Sequence, residues 1–107
     1  MKKLLSGTPA SGGKASGTAR VIVEEKDFAE FEEGDILVTR ITDPTMTILM
    51  NRASAIVCDI GGITSHPSII SRELGIPCVV ATGNPTELIR NGMKITVDGD
   101  TGEIYTD

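Results

Sequence analysis

Aromatic side chains are almost missing from this sequence. It has no tryptophan, and Phe28, Phe31 and Tyr105 are its only aromatic residues among 107. Proteins that bind single-stranded nucleic acid stack bases on aromatic side chains, so this scarcity argues against such a role. The formal net charge is −5, and an acidic surface repels both DNA and anionic membranes. We therefore expect neither nucleic acid nor a membrane as a partner.

Long hydrophobic runs are also absent. No apolar run reaches the length of a membrane-spanning helix. The N-terminal stretch MKKLLSG has two adjacent leucines, which is too short an apolar run for a signal-peptide core. The sequence therefore predicts a cytoplasmic protein.

Metal ligands of the softer kind are few. The chain has one histidine and two cysteines, Cys58 and Cys78, which do not form a CxxC motif. A structural zinc site needs about four such ligands, so we expect no metal site. In a cytoplasmic chain the two cysteines are expected to be reduced residues of the core.

The glycine-rich segment GTPASGGKASG, residues 7–17, invites comparison with a phosphate-binding P-loop. That motif needs four residues between its first glycine and the Gly-Lys pair, then Ser or Thr, then a helix. Here five residues separate Gly7 from Gly13-Lys14, Ala15 follows, and a strand is predicted next. The segment is therefore interpreted as an irregular N-terminal loop, and nucleotide binding here is rejected.

The rest of the chain is divided by Gly and Pro into short elements. Strands are predicted over residues 18–24, 36–40, 54–59 and 77–82, with a closing hairpin around Asp100-Thr101-Gly102. An acidic helical turn is predicted before Gly34, and helices over 44–52, 67–75 and 85–91. Asp43 and Asn84 are predicted helix caps, with Glu87 completing a capping box. Met46 and Met50 are expected in the core.

Between residues 54 and 98 the predicted strands alternate with short helices, which favours parallel strand pairs. The two ends of the chain suggest antiparallel pairing. The sequence therefore predicts one domain over residues 1–107, an α/β or α+β layered sandwich of roughly six or seven short strands and three helices.

The stretch GGITSH, residues 61–66, contains the only histidine. A Gly61-Gly62 break after an apolar strand, followed by a helix, is a strand–turn–helix whose free N–H groups can bind an anion such as phosphate. Thr64, Ser65 and Ser68 add hydroxyl donors nearby. We expect His66 to be the N-cap, where the positive helix end favours a neutral and therefore nucleophilic imidazole.

Plainer interpretations remain open for these residues. His66 can simply cap the helix or lie on the surface. Arg72 fits either a solvated helix residue or a partner of the phosphate. Thr42, Thr45 and Thr47 are interpreted as capping residues rather than as catalytic ones.

The segment GGITSHPSIISRELGIPCVV, residues 61–80, resembles the phosphohistidine signature of the phosphoenolpyruvate-utilising enzymes. This family includes phosphoenolpyruvate synthase, pyruvate phosphate dikinase and Enzyme I of the sugar phosphotransferase system. TPASGGKASGTARVI, GDILVTRITDPTM and GMKITVDGDTGEIY also resemble segments of its mobile domain. The main departure is Pro67, which stands where the family usually has a small residue.

The resemblance implies a swivelling β/β/α domain whose histidine, His66, is transiently phosphorylated. By the resemblance, Thr64 and Ser65 match the hydroxyl pair before the histidine, Gly61 and Gly62 match the turn that exposes it, and Arg72 matches the arginine of the following helix. Together with Ser68, these are the residues expected to support the phosphate. In the family, the histidine shuttles the phosphoryl group between an ATP-grasp domain and a TIM-barrel domain for phosphoenolpyruvate and pyruvate. Mg²⁺, ATP and phosphoenolpyruvate are then expected on those partners, with no cofactor bound here. The alternative is a non-catalytic regulatory or interaction module that keeps the swivelling fold.

Overall fold

The computed structural model describes residues 1–106, and Asp107, the end of the predicted domain 1–107, lies outside them. The described residues form eight strands: β1 Lys2–Ser6, β2 Thr8–Ser11, β3 Lys14–Ile22, β4 Ile36–Thr39, β5 Ala55–Cys58, β6 Cys78–Val80, β7 Lys94–Asp98 and β8 Glu103–Thr106. The α-helices are α1 Thr47–Arg52, α2 His66–Leu74 and α3 Pro85–Leu88. Two 3-10 helices, Glu25–Glu30 and Pro44–Met46, complete the described elements.

The strands form a sheet in the order β1-β8-β7-β3-β4-β5-β6-β2, and the long strand β3 connects its two halves. The first half of β3, from Lys14 to Thr18, pairs antiparallel with β7. Its second half, from Ala19 to Ile22, pairs parallel with β4. Strands β4, β5 and β6 continue the parallel half, and β2 closes its edge in the antiparallel direction. The predicted parallel pairs and antiparallel ends are both confirmed.

Two hydrophobic layers lie on opposite faces of the parallel strands. Leu37 and Ile56 belong to the layer shared with Leu49 and Met50 of α1. The neighbouring strand residues, such as Val57, point to the other layer, which the antiparallel half of the sheet covers. Because both faces are covered, all four residues of β4 and of β5 are buried, and such strands are continuous apolar runs. The predicted layered α/β sandwich is thus confirmed.

Several local predictions are also confirmed. The Asp43 carboxylate accepts a hydrogen bond from the Thr45 N–H and caps the Pro44–Met46 turn that leads into α1. Gly75 ends α2 in the left-handed conformation, with φ of 73°. Helix α1 ends at Arg52 as predicted. Other predictions concern the core: Met46 and Met50 are buried, and Cys58 and Cys78 are buried free thiols.

The prediction of an irregular segment over residues 7–17 is wrong. Thr8–Ser11 forms β2 against β6, and Lys14 begins β3 against β7. Backbone hydrogen bonds to distant strands stabilise this segment, so its poor intrinsic strand propensity does not decide its conformation. The predicted acidic helical turn forms as a 3-10 helix over Glu25–Glu30, so it ends at Glu30 rather than at Gly34.

The predicted capping box of α3 does not form. Asn84 is the N-cap residue, but its side chain accepts no capping hydrogen bond. Instead, its Nδ2 donates to Glu87 Oε2 at 3.1 Å. The carboxylate of Asp59, just past the end of β5, contacts α3 instead, accepting from Thr86 Oγ1 at 3.0 Å and from Thr86 N at 3.4 Å. A residue distant in sequence therefore caps this helix.

Candidate functional site

His66 lies at the edge of the sheet where the parallel strands β4 and β5 end. The loop after β5 makes a turn at residues 61–65, which we call the site turn, and α2 begins immediately after it. The residue before helix α2 is Ser65, so the prediction of His66 as the N-cap is wrong by one position. Pro67 occupies the second helical position, where its missing N–H leaves no intrahelical bond unmade. His66 is half-buried as the first residue of the helix.

The Nδ1 atom of the His66 ring forms a hydrogen bond with a side chain that follows the neighbouring strand β4. Thr42, in the segment after β4, places its Oγ1 2.8 Å from His66 Nδ1. Thr42 is only 4% exposed, so this contact is held inside the protein. His66 Nε2 has no hydrogen-bond partner within residues 1–106. The ring therefore has one anchored nitrogen and one available nitrogen.

The interpretation of Thr42 as a capping residue is thus wrong, whereas Thr45 and Thr47 do make local contacts. Thr45 donates to Asp43, and Thr47 Oγ1 donates to the carbonyl of Pro44 at 2.9 Å. The sequence position of Thr42 could have indicated this contact. Thr42 follows β4 as the site turn follows β5, and the carboxyl ends of neighbouring parallel strands meet at one edge of a sheet.

Two serine hydroxyls donate hydrogen bonds to a single backbone carbonyl and so close the site turn. Gly62 O accepts from Ser65 Oγ at 2.7 Å, from Ser68 Oγ at 2.6 Å and from Ser65 N at 3.0 Å. The predicted phosphate-supporting hydroxyls of Ser65 and Ser68 are therefore directed into the turn. Gly61 has φ of 131°, and a Cβ there would lie 2.9 Å from Ser65 Oγ, so only glycine fits.

Thr64 differs from the two serines. It is exposed, and its hydroxyl makes no hydrogen bond with another described residue. The backbone N–H groups of Ile63, Thr64 and His66 likewise have no acceptor within residues 1–106. The open side of the site turn therefore presents unpaired donors beside the imidazole, a typical surrounding for an anion.

Arg72 is an exposed residue of α2 whose guanidinium donates hydrogen bonds to two backbone carbonyls. Its Nη1 donates to the carbonyl of Ala10 in β2 at 2.8 Å. Its Nη2 donates to the carbonyl of Ile63 in the site turn at 2.6 Å. The guanidinium of Arg72 therefore ties the site turn to the edge strand, although part of the side chain is exposed.

The site lies on an open surface. A cleft of about 440 Å³ opens next to Thr42, lined by Arg40, Ile41, Asp43 and Thr45 among others, but His66 does not line it. Three isoleucines in the segments that follow β4 and β5 are exposed: Ile41 at 37%, Ile60 at 41% and Ile63 at 57%. The backbone N–H of Ile60 donates to the carbonyl of Arg40, so the segment after β5 lies beside the segment after β4.

Two further observations concern cofactors and membranes. Within residues 1–106, no group of three or more His, Cys, Asp or Glu side chains is arranged to hold a metal ion. No helix in the same range has both the length and the apolar character needed to cross a membrane.

Together, the fold and the site define a class. The class is a layered α/β domain that presents one histidine at a helix N-terminus, with one ring nitrogen anchored, beside a turn with unpaired N–H donors. Comparisons with known proteins agree with this class. The family described as PEP-utilising enzyme, mobile domain matches residues 31–102. The chain belongs to this family.

Individual relatives agree. The chain is 52% identical over 106 residues to a probable phosphoenolpyruvate synthase from Staphylothermus marinus, covering 97% of this chain and 13% of that protein. It is 53% identical over 104 residues to a probable phosphoenolpyruvate synthase from Archaeoglobus fulgidus, covering 97% of this chain and 14% of that protein. The chain thus spans about one seventh of the curated relatives that it matches.

A solved structure shares the fold. It is the solution structure of an Enzyme I protein, which superposes with a TM-score of 0.64 at 33% identity. The superposition covers 75% of this chain and 33% of that one. The predicted resemblance to the phosphoenolpyruvate-utilising enzymes is therefore confirmed, as is the fold that it implied.

Proposed function

We propose that this chain is a phosphoryl carrier in which His66 Nε2 accepts a phosphoryl group and passes it on. The observation that carries the proposal is the hydrogen bond between Thr42 Oγ1 and His66 Nδ1, at 2.8 Å. When Nδ1 holds the ring proton and donates it to Thr42, the lone pair of the neutral imidazole lies on Nε2. That nitrogen is then a nucleophile without a separate general base.

The transfer balances with the residues present. The Nε2 lone pair attacks the phosphorus of the donor, the N–P bond forms, and the bond from phosphorus to the donor's oxygen breaks with its electrons on that oxygen. The ring proton stays on Nδ1, bonded to Thr42. The second transfer reverses these steps, with an acceptor oxygen attacking and Nε2 leaving. The carrier thus returns to its starting state.

The charge that arrives with the phosphoryl group meets donors that are already in place. The unpaired N–H groups of the site turn and the positive end of α2 favour an anion. Thr64 adds an exposed hydroxyl. The serines at 65 and 68 and Arg72 support the phosphate indirectly, because their polar groups hold the turn.

The site's exposure supports a carrier rather than a complete enzyme. A phosphoryl carrier must present the same atom to two different active sites, and His66 lies outside the cleft. Ile41, Ile60 and Ile63, in the segments next to Thr42 and His66, add exposed apolar surface that a partner can cover.

The partners in this proposal are the other domains of a phosphoenolpyruvate synthase-like enzyme. These are an ATP-grasp domain that transfers a phosphoryl group from ATP and a TIM-barrel domain that exchanges it with phosphoenolpyruvate and pyruvate. They bind the Mg²⁺ and the substrates, either within one chain or as separate subunits. The relatives' greater length supports this, since they contain much more than this domain.

The proposal is tested with the purified chain and a relative phosphoenolpyruvate synthase whose corresponding histidine has been replaced. Labelled phosphoenolpyruvate or ATP is added with Mg²⁺, and wild type is compared with His66→Ala. We expect acid-labile, base-stable label on the wild type and none on the variant. The relative's own excised domain serves as the positive control.

If that control is labelled and this chain is not, the carrier proposal fails. The result would support a non-catalytic regulatory or interaction module instead. Label on both wild type and His66→Ala would equally overturn the assignment of His66.

A further inference from the structure

We propose that Arg72 is a positioning residue, which turns the backbone of the site turn so that the Thr64 N–H faces the phosphoryl group on His66. This inference rests on the proposed function and assigns Arg72 a role other than direct binding of phosphate. It is carried by the two backbone hydrogen bonds of the Arg72 guanidinium, to Ala10 O and to Ile63 O.

The first of these bonds fills a gap in the sheet. The pairing of β2 with β6 shifts register between Pro9 and Ser11, so Ala10 lies in the irregular part of the ladder. Ala10 is only 6% exposed, and a buried carbonyl without a partner is costly. Arg72 supplies the missing donor from a helix 62 residues further along the chain.

The second bond sets the direction of a peptide group. In a trans peptide the C=O and the following N–H point in opposite directions. Ile63 O is held at 2.6 Å by Arg72, so the Thr64 N–H of the same peptide group points away from the guanidinium. The preceding peptide is held likewise, because Gly62 O accepts from Ser65 and Ser68.

Two successive carbonyls of the site turn are therefore held by side chains at the start of α2 and along it. The corresponding N–H groups, those of Ile63 and Thr64, have no acceptor within residues 1–106. Successive N–H groups with a common direction form a concave site for an anion. Arg72 maintains half of this arrangement without touching the anion itself.

A lysine cannot take this role fully. Both terminal nitrogens of Arg72 are used, one for each carbonyl, and only a planar guanidinium offers two donors in a fixed fork. These two bonds use two of the five N–H donors of the guanidinium and direct both terminal nitrogens at backbone carbonyls of the protein itself. This use of the guanidinium is why we assign positioning to Arg72.

The test uses this chain alone, with phosphoramidate as a small phosphoryl donor that needs no partner enzyme. We compare wild type with Arg72→Gln and Arg72→Lys. Arg90→Gln is the matched control, because the Arg90 side chain is exposed and makes no hydrogen bond or ion pair within the described residues. Amide hydrogen exchange is measured without phosphoramidate, and the rate of His66 phosphorylation with it.

We expect Arg72→Gln to slow phosphorylation about 10- to 100-fold, the range that a small misplacement of reacting groups produces. Exchange of the Ser65 amide, which bonds to Gly62 O, should quicken about tenfold or more as the turn loosens. The phosphorylation and exchange rates of Arg72→Lys should lie between those of wild type and Arg72→Gln. Both rates of Arg90→Gln should match wild type. Unchanged exchange at Val57 in β5 shows that the fold persists.

Two results would overturn the inference. Unchanged phosphorylation and unchanged Ser65 exchange in Arg72→Gln would show that the two hydrogen bonds of Arg72 have no influence on the site. Unchanged Ser65 exchange with faster loss of the phosphoryl group would make Arg72 a direct phosphate ligand. If Arg72→Gln does not fold, Arg72→Lys answers the same question. A chain that takes phosphate from phosphoramidate but never from a partner enzyme would refute the proposed function and leave this inference standing.

Discussion

Among single residues, Thr42 has the greatest influence on the chemistry available to His66. Its hydroxyl contacts Nδ1 and Thr42 itself is buried, so this hydrogen bond holds the ring in one orientation. The consequence is selectivity between two nitrogens of similar intrinsic reactivity. Removing the hydroxyl should therefore change which nitrogen reacts as well as how fast it reacts.

We predict that Thr42→Val lowers the rate of phosphorylation by phosphoramidate about 10- to 100-fold, because the ring loses its anchor. The product should become a mixture in which Nδ1 also carries phosphate. ³¹P NMR of the labelled chain distinguishes the two phosphohistidine isomers. Thr42→Ser keeps the hydroxyl and is expected to give the Nε2 product alone. A single Nε2 product at the wild-type rate from Thr42→Val would contradict the prediction.

Among the elements, helix α3 shows how a short helix depends on a distant cap. Four residues make few internal hydrogen bonds, so its stability comes from contacts outside it. Asp59 supplies one such contact through Thr86, whereas the Asn84 side chain supplies no cap. Asp59 also lies just before the site turn, so this contact connects α3 to the edge of the sheet that carries His66.

We predict that Asp59→Ala lowers the free energy of unfolding by about 1 kcal/mol, the usual effect of losing a helix cap. Asn84→Ala, which changes the residue at the nominal N-cap, should alter stability by less than about 0.5 kcal/mol. Urea denaturation of the two variants beside wild type measures both values. A larger loss for Asn84→Ala than for Asp59→Ala would show that the local cap is the important one.

Across the whole molecule, the layer between the parallel strands and the helices excludes water from both cysteines. Burial raises the pKa of Cys78 to about 11. Burial, with the nearby Cys78 as a smaller cause, raises the pKa of Cys58 still further. In the unfolded chain both thiols titrate near their ordinary values, about 8.5. Ionisation therefore favours the unfolded state once the pH exceeds those values.

We predict that stability is insensitive to these thiols below about pH 8 and falls as the pH rises from there towards 11. The unfolded chain loses protons that the folded chain keeps, so the slope is negative, and each thiol should cost about 2 kcal/mol by pH 10. Urea denaturation at several pH values measures this. In the same series on Cys78→Ala, the free energy of unfolding should fall less steeply with pH, because that variant has one buried thiol instead of two. Parallel curves would show that the thiols are not responsible.

Much of the fold could be predicted because its signals are local. The apolar runs of β4 and β5 reflect strands covered on both faces. Asp43 begins a helical segment and Gly75 ends α2, each through contacts within a few residues. The segment 7–17 could not be predicted in this way. Its glycines weaken any intrinsic preference, and its strands exist because β6 and β7 supply hydrogen-bond partners from the far end of the chain.

The candidate site divides in the same manner. The sequence by itself determined that one histidine follows a Gly-Gly turn and begins a helix, because these features follow from neighbouring residues. Only the tertiary structure decided which nitrogen of His66 is available and what Arg72 does. Those outcomes depend on Thr42, 24 residues away from His66, and on Ala10, 62 residues away from Arg72. Such contacts arise from the packing of sheet against helix, which brings together side chains and carbonyls that no local pattern relates.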